Sequence, residues 1–328
     1  MKIAIIGGGW VGCHLAYKLR GKHEIVIYEK NTELFNETSF NNQNRLHSGF
    51  HYARNHKTRL MSKNTFTQFM DDYGFITEEV KKNLYCVPYS KSIIDYGTYV
   101  EIFRDYNKEV SEVPFMDVEG CLNTDERYIN FKLAHEFFNK ELNDLVVNET
   151  VTPVKLKKIS KEFDLVINAT NNHIKDLHNQ NSFFELTISL IYEKFAETEF
   201  DALTMVDGNF FSIYPYQKGK FTLTDVEHTP LKKFKTINKL NEYKKSITQE
   251  LIDKKIKLIE KKVKHYFPEF SSHFKYDSYF LSTKSKIVSK SDERYPVITK
   301  NGNVINCFTG KIQGIYIIEN TLKQDYNL

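Results

Sequence analysis

A β-branched run, residues 2–6, ends in glycine and passes directly into a helical pattern, IAIIGGGWVGCHLAYKL. The glycines Gly7, Gly9 and Gly12 spell G-x-G-x-x-G at that junction. Few chains can carry this pattern without folding as strand, tight turn and helix. Gly7 permits the turn, Gly9 lets bare backbone approach a pyrophosphate, and Gly12 lets helix and strand pack closely. The helix N-terminus then offers unpaired N–H groups and a partial positive charge to phosphates, with Trp10 and Val11 at its start. A second strand, EIVIYE, ends at Glu29 and completes a βαβ unit of about thirty residues. The Glu29 carboxylate suits ribose hydroxyls and repels a 2′-phosphate, which disfavours NADP, and Lys30 follows it. The turn by itself does not separate FAD from NAD.

At 328 residues the chain is too long for one small domain, which points to two lobes. The net charge of +4 is mild and interspersed, with no basic stripe, so a nucleic-acid partner is not expected. Cys13, Cys86, Cys121 and Cys307 lie far apart in sequence. They suggest buried free thiols in a reducing compartment, not a metal site or a disulfide framework. The glycines interrupt the apolar N-terminus and argue against a signal peptide, and no apolar run is long enough to span a membrane. A cytoplasmic, soluble protein is expected. Helices are expected at 56–74, 131–142, 237–267 and from about 313, and strands at 83–88, 145–147 and 163–169. Alternating aromatic and β-branched residues over 183–227 suit an antiparallel sheet. The order α/β, antiparallel, α/β suggests a nucleotide-binding domain interrupted by a substrate domain.

Residues 41–54, NNQNRLHSGFHYAR, resemble the segment after the first βαβ unit in the D-amino-acid oxidase (DAO) superfamily of FAD enzymes. The likeness is nearest the 2-hydroxyglutarate oxidoreductase branch, whose His-x-Gly-x-Tyr-Tyr element stands here as His47, Gly49, His51 and Tyr52. FDLVINATN, 163–171, is similar to the family's second flavin-contact strand, with Asn171 where glycine is usual. Asn tolerates a left-handed backbone better than most residues. YPYQKGKFTLTDVEHTP, 214–230, resembles the substrate-domain hairpin, with Tyr214, Pro215, Gly219 and Glu227 in the matching places. ERYPVI and FTGKIQGI, 293–298 and 308–315, resemble the C-terminal flavin segment.

The resemblance implies an α/β fold. A Rossmann-type FAD-binding domain of glutathione-reductase-like, DAO type would carry an inserted antiparallel-sheet substrate domain. Residues 1–82, 125–180 and 285–328 would form the first, and 83–124 and 181–284 the second. The implied FAD contacts are Gly7, Gly9, Trp10, Val11, Gly12, Glu29, Lys30, Asn44, Arg45, Leu46, His47, Val147, Ala169, Thr170, Asn171, Arg294, Gly310, Lys311 and Ile312. The implied activity is oxidation of a C–N or C–OH bond of a small polar substrate by hydride transfer to flavin N5. Negative charge then gathers at N1 and the C2 oxygen, where Gly310, Lys311 and a helix N-terminus stabilise it. His51 and His47 are the candidate bases, with His51 preferred. Arg54, Arg45 and Arg294 are candidates for a substrate carboxylate, and Tyr214 and Tyr52 for hydroxyl contacts. No metal site is expected: His47 and His51 are four apart, but a glycine between them argues against a shared helix face. A non-redox flavin enzyme resembling UDP-galactopyranose mutase, a non-catalytic flavin-binding protein and an NAD-dependent dehydrogenase are the alternatives. Substrate, electron acceptor, flavin linkage and oligomeric state are not legible in the sequence.

Overall fold

The computed structural model describes residues 1–174, 182–288, 294–326 and 328. Glu293 of the ERYPVI stretch and the expected domain join at 180–181 lie outside them. Two sheets organise the chain. The first has six strands in the order Val297–Asn301, Val304–Phe308, Leu165–Asn168, Lys2–Ile6, Glu24–Glu29, Val146–Asn148. Five are parallel, and only Val297–Asn301 pairs antiparallel. Parallel strands are covered on both faces, so they read as unbroken apolar runs. Accordingly Ile3 and Ile5 pack with the helices Trp10–Leu19, His56–Tyr73, Phe131–Leu142 and Gly314–Tyr326. Ala4 and Ile6 face the helix Pro153–Glu162 through Leu156 and Ile159.

The second sheet has ten strands. Its path runs Pro230–Phe234, Ser182–Lys194, Lys220–Asp225, Phe211–Gln217, Ala202–Met205, Thr77–Pro88, Val118–Ile129, Arg45–Leu46. Phe274–Ile287 also pairs with Ser182–Lys194, and Lys108–Ser111 with Val118–Ile129. Its two faces differ sharply, as the period of two allows. Leu84, Leu203, Ile213, Leu223, Ile188 and Leu190 lie under the helix Gln249–Tyr266, against Ile252, Ile259 and Val263. The other face carries Tyr85, Thr204, Ser212, Thr222, Thr187 and Ser282, all buried. Gln43 Nε2 donates to Ser212 Oγ and Thr222 Oγ1 at 3.3 Å each, so the chain after the first βαβ unit lies against this polar face.

Several expectations change. The long helix over 237–267 is two, Ile237–Lys245 and Gln249–Tyr266, because the Thr248 hydroxyl caps a new N-terminus at Leu251 N–H. The strand Val118–Ile129 and the helix Pro153–Glu162 were not expected. The first has mixed polar positions that only pairing orders, and the second is a polar surface helix begun by Thr152 and Pro153. The absence of disulfides is also overturned. Cys86 and Cys121 are directly opposed partners on neighbouring strands and are bonded, while Cys13 and Cys307 are buried free thiols. Thirty-five residues of separation conceal a pairing that strand register creates. No helix among the described residues is long and apolar enough to cross a membrane.

Candidate functional site

The site begins at the glycine turn. Gly7 has φ +103°, and a Cβ there would lie 2.9 Å from the Ala169 carbonyl oxygen, so the first and fourth parallel strand ends touch through bare backbone. A Cβ on Gly12 would lie 1.9 Å from the Gly7 oxygen. Gly9 is different: its φ of −90° suits any residue, and a Cβ would meet only Ser39 Oγ, at 2.9 Å. Clearance, not conformation, is what Gly9 supplies. No side chain caps the helix from Gly9, and the Trp10 N–H donates to Ser39 Oγ at 3.0 Å. Among the described residues, the N–H groups of Gly9, Val11 and Gly12 meet no acceptor. Unsatisfied donors at a helix start, beside a glycine whose added Cβ would meet only one side-chain atom, fit a diphosphate.

Glu29 stands beside this cradle, 7% exposed. Its Oε2 accepts the Gly8 N–H at 2.7 Å, and its Oε1 accepts from Asn31 N and Nδ2 at 2.9 and 3.0 Å. Lys30 Nζ lies 2.6 Å from Glu37. Val147 pairs with Tyr28 on the outer strand, and the next residues continue to Glu149, whose N–H donates to the Glu29 carbonyl. Trp10 reaches the cradle only with its backbone. Its ring is core, 4.9 Å from Phe35 and 5.5 Å from Phe138, because the helix turns that position inward. Asn171 has φ +52°, the left-handed backbone that its replacement of glycine requires, and Asn172 follows at +65°. Thr170 is held by Asn168 Oδ1 at 2.8 Å.

From the cradle the chain leads along residues 41–54 to a second cluster. Asn44, at φ +52°, passes its carbonyl to Ile129 N–H at 2.7 Å, and Leu46 is wholly buried in the core. His47 is 3% exposed, and neither ring nitrogen has a partner. Its carbonyl accepts from Gln313 Nε2 at 2.9 Å, and the same amide donates to Ser62 O at 2.9 Å. Gln313 thus ties the segment before the last helix to the His47 backbone. Burial pushes the His47 pKa well below the ordinary histidine value, and the charges of Lys311 and Arg45 add to that. His51 is open at its surface yet enclosed on most sides by protein. Desolvation, then Arg45, Lys311, Arg294 and Lys284, push its pKa well down too. Both imidazoles are therefore neutral and able to accept a proton. Lys311 Nζ lies 4.8 Å over the Tyr52 ring, Ile312 packs at the core edge, and a Cβ on Gly310 would meet Arg294 at 3.1 Å.

Two expected residues are committed elsewhere. Arg54 makes a two-pronged ion pair with Asp207 at the surface. Tyr214 is fully buried, its hydroxyl donates to Arg127 O at 3.1 Å, and the Arg45 guanidinium stacks on its ring at 4.0 Å. Three residues given no role in the sequence do belong to the region: Ser39, Lys284, and Gln313 within the 308–315 stretch. Ser39 was detectable only as a hydroxyl ten residues past Glu29. Lys284 lies opposite Glu185 in the strand Phe274–Ile287, on the polar face of the sheet. Glu185 is already paired with Lys286 at 2.5 Å, and Lys284 makes no hydrogen bond or ion pair among the described residues. Lys284 is exposed at the surface, yet protein packed around its remaining sides, with the charges of Lys286, Lys311 and Arg294, lowers its pKa to about 8. Away from this region, Asp225, Glu227 and His228 converge, but Lys262 Nζ already sits 2.7 Å from Asp225 and 3.1 Å from Glu227.

The profile of the DAO family, described as FAD dependent oxidoreductase, matches residues 2–93. The chain is 34% identical to the FAD-dependent monooxygenase FPY4 of Fusarium mangiferae, covering 96% of this chain and 88% of that one. It is 25% identical to the FAD-dependent monooxygenase kojA of Aspergillus flavus, covering 96% and 83%. Among solved structures, glycine oxidase from Geobacillus kaustophilus superposes with a TM-score of 0.70 at 10% identity, covering 98% and 92%. The FAD-bound L-alpha-glycerophosphate oxidase from Mycoplasma pneumoniae gives 0.68 at 14% identity, covering 98% and 94%.

Proposed function

The chain belongs to the DAO family of FAD-dependent oxidoreductases, and from that premise we propose that it oxidises a C–N or C–OH bond of a small anionic substrate, with hydride passing to flavin N5. Bound FAD supplies the two-electron acceptor that no side chain provides. Gly7, Gly9 and Gly12 with the free N–H groups of the first helix hold the diphosphate, Glu29 the ribose, and residues 44–47 with 310–312 the ring. The observation that carries the reading is a cluster in which His51 and Lys311 both lie against the Tyr52 ring, at 5.4 Å between ring centroids and 4.8 Å from Nζ, with the charges of Lys284 and Arg294 acting on the exposed imidazole. A cationic enclosure draws in and orients an anion, while the neutral ring can take a hydroxyl proton. In this assignment Lys284 holds the substrate's carboxylate or phosphate and His51 receives the proton. With FAD bound, Lys311 and the N-terminus of Gly314–Tyr326 would offset negative charge that reduction places on the flavin. The likeness to the 2-hydroxyglutarate branch rests on His47, Gly49, His51 and Tyr52 alone.

The test is direct. Purified protein loaded with FAD is mixed, without oxygen, with panels of hydroxy acids, amino acids and phosphorylated alcohols. Bleaching of the flavin band by an anionic member, and its loss in His51→Gln, is the expected result. A panel in which only neutral substrates bleach the flavin removes the anionic assignment. Oxygen insertion is a second possibility, favoured by the names of the two curated relatives, both FAD-dependent monooxygenases. Reoxidation under labelled oxygen separates them: label in the organic product marks insertion, and labelled peroxide beside an unlabelled organic product marks an oxidase.

A further inference from the structure

Glu126 lies in the strand Val118–Ile129 with none of its surface exposed. Its Oε1 accepts the Ser48 N–H at 2.9 Å. Its Oε2 accepts the Tyr85 hydroxyl at 2.9 Å and Asn83 Nδ2 at 3.0 Å, and lies 3.9 Å from Arg45 Nη2. Arg45 Nη2 donates to the same Tyr85 oxygen at 2.9 Å and to Thr204 Oγ1 at 3.0 Å. One carboxylate from the second sheet therefore grips both ends of the segment 45–48, on which His47 sits. It also faces the one buried guanidinium of that segment, whose side chain is 9% exposed. Among the described residues no other carboxylate is within ion-pair distance of Arg45. A buried cation without a counter-charge is costly, and its field reaches far in a low-dielectric interior. That field already acts on His47 and His51.

We propose that Glu126 is a positioning and charge-compensating residue of the flavin site: it fixes residues 45–48 and cancels Arg45, and so holds the reduction potential of bound FAD below the value that Arg45 alone would impose. This rests on the placement of residues 44–47 beside the flavin ring given above. The physical sign is simple. Reduction adds negative charge, so an uncompensated cation nearby favours it and a bare carboxylate opposes it. Glu126→Gln keeps nearly the same shape and one acceptor oxygen and removes the charge, while its new NH2 faces either the Ser48 N–H or the Asn83 amide and weakens one of those bonds.

The experiment measures the FAD midpoint potential in the wild type, Glu126→Gln, Arg45→Met and the double variant. Burial pushes the Glu126 carboxyl up and Arg45 holds it down. Glu126→Gln is therefore expected to shift the potential up, Arg45→Met to shift it down only above the pH at which the uncompensated Glu126 loses its proton, and the double variant to return towards the wild type. A second readout uses no flavin: the difference infrared spectrum of the apoprotein against Glu126→Gln, in which Glu126 should show an ionised carboxylate at about pH 7, whereas a protonated carboxyl overturns the proposal. A purely structural role moves FAD retention and melting temperature and leaves the opposed shifts absent. If Glu126→Gln does not fold, the downward shift in Arg45→Met and recovery of folding in the double variant carry the test. A Glu126→Gln variant that folds and leaves the potential unmoved, or lowers it, overturns the proposal. A wild type whose flavin is unaffected by every substrate removes the proposed reaction but not this inference.

Discussion

Gly9→Ala separates the cofactor cradle from the fold. The Gly9 backbone is in a region open to alanine, so the substitution carries no conformational strain. The added Cβ meets Ser39 Oγ at 2.9 Å, the tip of a short side chain that can rotate away. The loss is then one hydrogen bond, Ser39 Oγ to Trp10 N–H, about 1 kcal/mol. Reduced freedom of the unfolded chain offsets part of it, by about 0.4–1 kcal/mol. The apoprotein should therefore melt close to the wild type. The cofactor should not tolerate the change. A methyl at Gly9 pushes a phosphate off the N–H groups of Gly9, Val11 and Gly12, and hydrogen bonds to charged groups contribute about 1.5–3 kcal/mol each. Losing two weakens FAD binding by about 3–6 kcal/mol, roughly a hundredfold to ten-thousandfold in Kd. Gly12→Ala is the contrast: its Cβ falls 1.9 Å from the Gly7 carbonyl oxygen, where only backbone can give, and folding itself should lose ~3 kcal/mol or more. Thermal denaturation of the apoproteins and FAD titration by fluorescence quenching measure both quantities. Gly9→Ala that folds and binds FAD within threefold of the wild type (~0.6 kcal/mol) would falsify the assignment of this turn as the diphosphate cradle.

Lys284→Gln should raise KM for an anionic substrate about tenfold, ~1.4 kcal/mol, between the values for exposed and buried pairs. In the wild type the same KM should climb as pH rises through about 8, where this ammonium is lost, and the variant should lack that limb. His14, fully buried, accepts Tyr73 O–H at Nδ1 (2.8 Å) and gives its Nε2 proton to Glu319 (3.0 Å). Desolvation lowers the His14 pKa, and Glu319 is brought down to about 2 by His14 and Lys323 despite its burial. Both folded values lie below the unfolded ones, so their stabilisation is present above those values and is lost on acidification. Melting temperature should fall first below about pH 6.5 and again below about pH 4.5, and His14→Gln should flatten the first step. Reducing Cys86–Cys121, which closes a loop of 35 residues, should cost up to about 4 kcal/mol in denaturant titrations with and without reductant. Equal midpoints would show that the bond contributes nothing.

The half of the candidate site built on the glycine turn was legible before any folding. Strand, glycine turn, helix and Glu29 are adjacent in the chain, and each step is dictated by local sterics, so G-x-G-x-x-G is visible wherever it occurs. Residues 45–52 and 308–315 were legible as segments for a similar reason, since each is a short contiguous stretch. What those side chains do was decided only by tertiary structure. Arg54 and Arg45 look alike in sequence, but the fold pairs one with Asp207 at the surface and buries the other over Tyr214 beside Glu126. Lys284 is one of many lysines until strand register sets it opposite Glu185, already claimed by Lys286. Cys86 and Cys121 become a bond for the same reason. Local pattern fixes backbone shape, whereas charge balance and pairing depend on partners that are distant in the chain and near only in the folded sheet.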